Sequence, residues 1–177
     1  MIPQKPQSEM TPQELLGQMK LVVMEFEGVI SDGRAWIDDQ GRLSAATYRP
    51  DELGLTAYLK AGGRVVVIAR RDFAPARLWA ERMGVTFREH DGQKNACLQA
   101  IVFENAMTPR HLCYVGRDLD DLTAMSIASL AVAVADADPW AKGASQLVLG
   151  RPGGAGAVRE LCDLLLKNCA PAAEPGK

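Results

Sequence analysis

The sequence has no long apolar run, few aromatic residues and no excess of charge of either sign. No stretch approaches the roughly 18 uninterrupted apolar residues of a membrane span, and residues 1–10 lack the apolar core of a signal peptide. Aromatic residues are 6% of the 177 residues, and 20 Lys and Arg oppose 22 Asp and Glu, for a net charge of −2. These absences predict a cytoplasmic protein with neither a membrane nor a nucleic-acid partner.

Cysteine is also scarce. The four cysteines, Cys97, Cys113, Cys162 and Cys169, are scattered without a CxxC pair, and the two histidines lie outside any zinc-ligand spacing. We therefore expect reduced thiols, and neither a disulfide scaffold nor a zinc site.

What the sequence does contain is an alternation of strand and helix patterns. Continuous apolar runs at 20–26, 63–69 and 111–116 are typical of parallel strands that are covered on both faces. Helical patterns separate them, which predicts an α/β fold around a parallel sheet. The helical patterns cover 51–60, 74–83, 93–104 and 118–127, and two further apolar runs cover 130–135 and 146–150.

The patterns fit a single domain with one extension. We expect the folded part to cover about 11–168, with mobile ends at 1–10 and 169–177 that have no apolar periodicity. A Thr-Pro-Gln-Glu capping box at 11–14 predicts a short first helix. At 34–48, two short alternating runs flank an Asp-Gln-Gly turn, which predicts a β-hairpin that protrudes from the sheet.

Charged residues follow three of the apolar runs directly. These segments are Glu25-Phe26-Glu27-Gly28, Ile68-Ala69-Arg70-Arg71 and Val115-Gly116-Arg117-Asp118. Because ligands of open parallel sheets bind beyond the carboxyl ends of the strands, the segments predict one functional site. Solvated turns often carry charge as well, so an ordinary charged surface is the alternative.

The sequence resembles the haloacid-dehalogenase (HAD) superfamily of phosphohydrolases, in the small capless branch typified by 3-deoxy-D-manno-octulosonate 8-phosphate (KDO 8-phosphate) phosphatase. The resemblance implies a three-layer, Rossmann-like α/β fold, a Mg²⁺-dependent site and a homotetramer joined through the hairpin. It rests on five ordered segments: EFEGVISDG (25–33), the hairpin, YVGRDLDDLTAM (114–125), VAVADADP (132–139) and GGAGAVRELCDLLL (153–166).

The resemblance places two glutamates where the family has catalytic aspartates. In the family, the first Asp attacks phosphorus, the second is the general acid and base, and Mg²⁺ neutralises the carboxylates and the phosphate. Here Glu25 stands at the nucleophile position and Glu27 at the acid/base position. Each keeps its charge, but the added methylene moves the carboxylate by roughly 1 Å or more, and such a misplacement costs about 10²-fold in rate.

The phosphate-binding positions that the resemblance implies have changed too. Ala69, Arg70 and Arg71 replace a Thr-Gly-Arg turn, which removes the hydroxyl and places a side chain where glycine lets the backbone approach a ligand. The family's phosphate-binding lysine aligns with Ala96. Lys94 lies two residues earlier, an offset of roughly 200° on a helix, so we expect it to substitute only if the turn is not yet helical.

The fourth motif and a substrate-lining segment complete the comparison. Arg117 replaces the aspartate that completes the metal site, and we expect it to pair with one of the two glutamates instead. If a metal binds, Glu25 and Glu27 together with Asp118 and Asp121 are its expected ligands. The family's substrate-lining Arg-Asp-Gly-x-Gly segment keeps its acid as Asp51.

Since all four motifs are altered together, the sequence favours a KDO 8-phosphate phosphatase-like protein that has lost phosphatase activity and needs no cofactor. It would act as a scaffold, a regulator or an anion-binding protein, with partner enzymes or a small anionic sugar acid as partners. The alternative is a Mg²⁺-dependent phosphatase acting on a phosphorylated sugar acid or a similar phosphomonoester. Five arginines either bind the anion or pair with nearby carboxylates, and we expect the pairing: the arginines are Arg49, Arg70, Arg71, Arg117 and Arg159, and the carboxylates are Glu25, Glu27, Asp51, Asp118 and Asp121.

Overall fold

The structure is a computed structural model that describes residues 9–168; the ends that we expect to be mobile lie outside this range except for residues 9 and 10. In chain order the elements are α1 (Pro12–Leu16), β1 (Leu21–Glu25), β2 (Trp36–Ile37), β3 (Leu43–Ser44), α2 (Arg49–Lys60), β4 (Val65–Arg70), α3 (Ala74–Met83), β5 (Thr86–His90), α4 (Lys94–Glu104), β6 (Leu112–Gly116), α5 (Leu122–Met125), β7 (Leu130–Ala133), α6 (Pro139–Ala144), β8 (Leu147–Val148) and α7 (Ala157–Asn168).

Six strands form one parallel sheet in the order β5-β4-β1-β6-β7-β8. Strands β1, β6 and β7 are buried along their whole length, as their continuous apolar sequences predict. Helices flank this sheet, and α2 packs closely on α7. The predicted α/β fold is therefore confirmed. Within residues 9–168, no helix is both long enough and apolar enough to cross a membrane.

Two elements differ from the sequence patterns. Strand β5 has the sequence TFREH, in which polar and partly exposed residues hide the strand pattern at the edge of the sheet. The helix expected over 118–127 is a tight turn at Leu119–Asp121 followed by the single turn of α5. The first helix has the predicted capping box, in which Glu14 N donates to Thr11 Oγ1 and Thr11 N donates to Glu14.

The predicted hairpin is present and consists of the antiparallel strands β2 and β3. Its turn closes through Gly41 N, which donates to Asp38 O, and Gly41 has a positive φ of 77°. Trp36 and Ile37 are 54% and 72% exposed, so in a single chain the hairpin exposes large apolar side chains to solvent.

Asp51, the acid expected to line a substrate site, instead holds α7 against α2. Its side chain is 2% exposed. Asp51 Oδ1 accepts from Arg159 N at 2.7 Å, and Asp51 Oδ2 accepts from Gly156 N at 3.1 Å. These N–H groups belong to the amino-terminal end of α7, which has no partner for them within the helix. Asp51 is thus the cap of a helix that lies more than 100 residues further along the chain.

Replacing Asp51 by Ala should lower the free energy of unfolding by about 2 kcal/mol, because two partly buried N–H groups at the start of α7 lose the buried carboxylate that accepts from them. Urea unfolding followed by circular dichroism measures the change. Asp39→Ala in the exposed hairpin turn is the control and should change stability by less than about 0.5 kcal/mol. Equal losses in the two variants would contradict the capping role.

Candidate active site

The carboxyl ends of β1, β4 and β6 open into one cavity of about 510 Å³. It brings together most of the charged residues that the sequence singled out, which belong to four different segments of the chain. The charged lining residues are Glu25, Glu27, Arg70, Arg71, Asp72, Lys94, Asp118, Asp120 and Asp121. Ala69, Ala96 and Asp51 do not line this cavity.

Glu25, the last residue of β1, is held by two basic side chains. It is 3% exposed. Its Oε2 lies 3.0 Å from Lys94 Nζ, and its Oε1 lies 3.3 Å from His90 Nε2. His90 Nδ1 accepts from Gly92 N at 3.2 Å, so the ring proton lies on Nε2 and points to Glu25. His90 was not predicted as a site residue, because it ends the edge strand β5, whose strand pattern is hidden by polar residues.

Lys94 is the cation at the centre of the site. It is 2% exposed, and its Nζ lies 3.0 Å from Glu25 Oε2, 2.7 Å from Asp121 Oδ1 and 3.1 Å from Asp120 Oδ1. Burial alone would lower the pKa of Lys94, but Glu25 and Asp121 outweigh it and hold the pKa above its usual value. The side chain is therefore an ammonium ion at every physiological pH.

Lys94 reaches the site under the condition that we expected, because α4 begins only at this residue. Gln93 has non-helical backbone angles, so Lys94 is the first residue of α4 and its side chain extends back beyond the helix end. Ala96, which aligns with the family's lysine, is exposed on the next part of that turn and lies outside the cavity.

Asp121 accepts four hydrogen bonds. Its Oδ1 accepts from Lys94 Nζ at 2.7 Å and from the Tyr114 hydroxyl at 2.6 Å. Its Oδ2 accepts from the backbone N–H groups of Arg117 and Asp118 at 2.7 and 2.9 Å. Burial would raise the pKa of Asp121, but Lys94 and these donors hold it below its usual value. The carboxylate thus anchors the turn after β6 and has no free lone pair for a metal.

Glu27 has one carboxylate oxygen, Oε2, that is buried without a hydrogen-bond partner. Burial raises the pKa of Glu27 to about 7, and the neighbouring Glu25 carboxylate adds to the rise. Gly28 follows with a positive φ of 84°, a conformation that favours glycine and turns the chain sharply after Glu27. The two glutamates are consequently close enough to repel each other within the cavity.

This raised pKa makes stability depend on pH. Between about pH 4.5 and about pH 7 the folded protein keeps a proton on Glu27 that the unfolded chain has lost, so the free energy of unfolding falls as pH rises through this range. Because the side chain is partly exposed, we expect a loss of only about 1 kcal/mol. In Glu27→Gln, the loss of stability that Glu27 causes should disappear. Urea unfolding at about pH 4.5 and at about pH 7 measures this difference. Glu81→Gln on the exposed face of α3 should keep the full slope, and a Glu27→Gln slope equal to wild type would contradict the assignment.

The segment after β4 supplies the outer cations of the cavity. Arg70 and Arg71 are exposed, and neither guanidinium forms an ion pair within residues 9–168. Asp72 next to them has a positive φ of 69°, which is uncommon outside glycine. Ala69 is buried in β4 and offers no hydroxyl. The two arginines are thus free to meet an anion at the mouth of the cavity.

No protein-family model matches the chain. Individual relatives do. The enzyme named 3-deoxy-D-manno-octulosonate 8-phosphate phosphatase KdsC from Escherichia coli strain K12 is 34% identical over 153 residues, which are 84% of this chain and 79% of the relative. KdsC from Haemophilus influenzae is 30% identical over 157 residues, covering 88% and 87%. The chain belongs to the KDO 8-phosphate phosphatase-like branch of the HAD superfamily.

Solved structures of this HAD branch have the same fold. The Moraxella catarrhalis KDO 8-phosphate phosphatase, solved with a magnesium ion, a phosphate ion and KDO, superposes with a TM-score of 0.85 at 28% identity and covers 89% of this chain and 91% of its own. The cobalt-bound Haemophilus influenzae enzyme gives a TM-score of 0.83 at 29% identity, covering 87% and 91%.

The residues of this HAD protein do not fit the divalent metal that the family resemblance implies. Among the described residues, no group of three or more His, Cys, Asp or Glu side chains is placed to hold a metal ion. Asp121 has its lone pairs occupied, and Asp118 is exposed, with Oδ1 accepting from Leu119 N at 2.8 Å. A guanidinium stands at the position of the family's third ligand. Glu25 and Glu27 alone do not make the near-octahedral oxygen set that Mg²⁺ requires.

The arginines of this HAD protein do not pair as expected. Within residues 9–168, the Arg117 guanidinium forms no ion pair with Glu25 or Glu27. Its Nη2 lies 3.2 Å from Asp136 Oδ2, and its Nη1 donates to Asp32 O at 3.0 Å. Two of the other arginines pair with acids near in sequence instead: Arg49 pairs with Glu52, and Arg159 with Asp163. In each case the partner lies on the same helix as the arginine and is nearer to it than the acids of the site.

Proposed function

We propose that this KDO 8-phosphate phosphatase-like protein has lost phosphatase activity and uses its cavity to bind a small anion without hydrolysing a phosphate ester. The observation that carries the proposal is the state of Glu25 at the nucleophile position. Its two oxygens face His90 and Lys94, and the side chain is nearly inaccessible. A nucleophile needs an oxygen that can approach phosphorus in line. Glu25 Oε2 has no hydrogen-bond partner, but it is buried and lies 3.0 Å from the Lys94 ammonium.

The charge of the cavity also opposes phosphate transfer. Six carboxylates and three cationic side chains line it, so its formal charge is −3 before Glu27 takes up a proton. A phosphomonoester dianion entering this space meets net repulsion, and no fitting metal site offsets it.

The free arginines support binding of a monoanion at the mouth of the cavity. Arg70 and Arg71 match a carboxylate group, and the exposed Asp118, which lines the same cavity, would accept a hydrogen bond from a hydroxyl of the same ligand. A sugar acid combines both groups, and one relative of known structure was solved with KDO. The ligand class that we propose is therefore a small sugar acid, held without chemical change.

Assembly and location are part of the same proposal. The exposed Trp36 and Ile37 of the hairpin support self-association into a homotetramer, in which a scaffold could present the cavity to partner enzymes. The free thiols of Cys97, Cys113 and Cys162 support a cytoplasmic location.

One observation favours the alternative, a Mg²⁺-dependent phosphatase of phosphorylated sugar acids. Glu27 has a pKa of about 7 and an unpartnered oxygen in the cavity, which suits a general acid and base near neutral pH. The alternative requires a metal to bind through the two glutamates.

Hydrolysis assays separate the two functions. With Mg²⁺ present, the wild-type protein should release no more phosphate from p-nitrophenyl phosphate or KDO 8-phosphate than Glu25→Ala does. Isothermal titration with KDO should give binding that is lost in Arg70→Ala with Arg71→Ala. Mg²⁺-dependent turnover that Glu25→Ala abolishes would establish the enzyme instead. If neither hydrolysis nor KDO binding is detected, a scaffold without a ligand is the only part of the proposal that stands.

A further inference from the structure

Arg117 joins loops that follow three different strands. Its Nη1 donates to Asp32 O in the loop after β1, and its Nη2 pairs with Asp136 in the loop after β7. Its own backbone belongs to the turn after β6, where Arg117 N donates to Asp121 Oδ2 and Arg117 O accepts from Asp138 N at 2.8 Å.

These contacts close into a ring. Asp136 Oδ1 accepts from Gly153 N at 2.9 Å, and Gly154 N donates to Val29 O at 2.9 Å, which returns to the loop after β1. The ring thus passes from the β1 loop through Arg117 and Asp136 to the segment before α7 and back. Each of these loops borders the mouth of the cavity or supports a residue that does.

The β1 loop is shaped to receive the Arg117 side chain. A Cβ atom on Gly28 would lie 2.5 Å from Arg117 Cδ, and one on Gly33 would lie 2.5 Å from Arg117 Nη1. Both distances are too short unless the Arg117 side chain moves away, so in its present position the arginine packs directly against two residues that have no side chain. This close fit distinguishes Arg117 from a surface arginine that happens to meet an acid.

We propose that Arg117 is a built-in cation that ties the loops after β1, β6 and β7 together in place of a divalent metal ion. A guanidinium keeps its charge at all physiological pH values and forms several directed hydrogen bonds, so the tie is permanent. The loop arrangement is then the same with and without Mg²⁺. The inference concerns how the loops are held, and it can fail while the absence of phosphatase activity stands, or hold if activity is found.

Hydrogen exchange read by mass spectrometry tests the inference on the full chain. In the wild-type protein, exchange of segments 26–33, 134–138 and 150–156 should be the same in millimolar Mg²⁺ and in EDTA. In Arg117→Gln, exchange of all three segments should accelerate at least about tenfold, because the ring is opened. Arg88→Gln is the matched control: it removes an arginine that pairs with Glu104 outside the ring, and these segments should not change.

A second variant tests whether Mg²⁺ can take the place of the Arg117 guanidinium. Arg117→Asp restores the carboxylate that the family resemblance places at this position, and Mg²⁺ should slow the accelerated exchange of its β1 loop by a factor that Arg117→Gln does not show. If Arg117→Asp does not fold, the wild-type and Arg117→Gln results decide alone. Slower exchange of the wild-type loops on addition of Mg²⁺, or unchanged exchange in Arg117→Gln, would overturn the proposal.

Discussion

Replacing Asp121 by Ala should lower the free energy of unfolding by about 3–5 kcal/mol, the range found when one partner of a buried ion pair is removed. The variant leaves the Lys94 ammonium, the Tyr114 hydroxyl and two backbone N–H groups without the acceptor that now serves all four. Lys94 keeps Glu25 and Asp120, but the buried Tyr114 hydroxyl and the two partly buried N–H groups lose their partner.

Asp120 is a close control for this prediction. Its Oδ1 lies 3.1 Å from the same ammonium, but its side chain is largely exposed. Asp120→Ala should therefore cost less than about 1 kcal/mol. Urea unfolding of the two variants beside wild type gives both values. If Asp121→Ala cost no more than Asp120→Ala, the four hydrogen bonds would not be the anchor that the geometry indicates.

Restoring the family residues should create Mg²⁺-dependent hydrolysis of p-nitrophenyl phosphate, at least about 10²-fold above wild type. Shorter carboxylates free the nucleophile from its present partners, a carboxylate at 117 completes a metal site, and a hydroxyl and a glycine restore the phosphate-binding turn. The combined substitutions are Glu25→Asp, Glu27→Asp, Ala69→Thr, Arg70→Gly and Arg117→Asp.

The control for this gain is the same set of substitutions with Ala at position 25, which should have no activity above wild type. Circular dichroism and Mg²⁺ titration show whether each protein is folded and binds the ion. A folded variant that binds Mg²⁺ and still releases no phosphate would mean that residues other than these five account for the lost chemistry.

The fold was predictable because its central strands are apolar throughout. The position of the site followed from the sheet, since the carboxyl ends of parallel strands meet at one edge, and charged residues follow β1, β4 and β6 there. Strand β5 was not predicted because an edge strand with one exposed face needs few apolar residues. His90 at the end of β5 was therefore not predicted as a site residue either, although its ring contacts Glu25.

The details of the site depended on distances that a sequence does not contain. Whether Lys94 reaches the cavity depends on the residue at which α4 begins, and a shift of one position would turn the side chain aside. The partner of Arg117 is Asp136, in the loop after the next strand, and Glu25, which seemed nearer in the motif, pairs with Lys94. Asp51 likewise meets partners 105 and 108 residues away.

That last separation has a consequence for how the protein is made. The carboxylate of Asp51 leaves the ribosome long before Gly156 and Arg159, the residues whose N–H groups it binds, and α1 also packs on α7. Until α7 is released, the nascent chain therefore carries an Asp51 carboxylate without its hydrogen-bond donors and an α2 surface that α7 does not yet cover. Synthesis of α7 is therefore the step that completes the packing around α2.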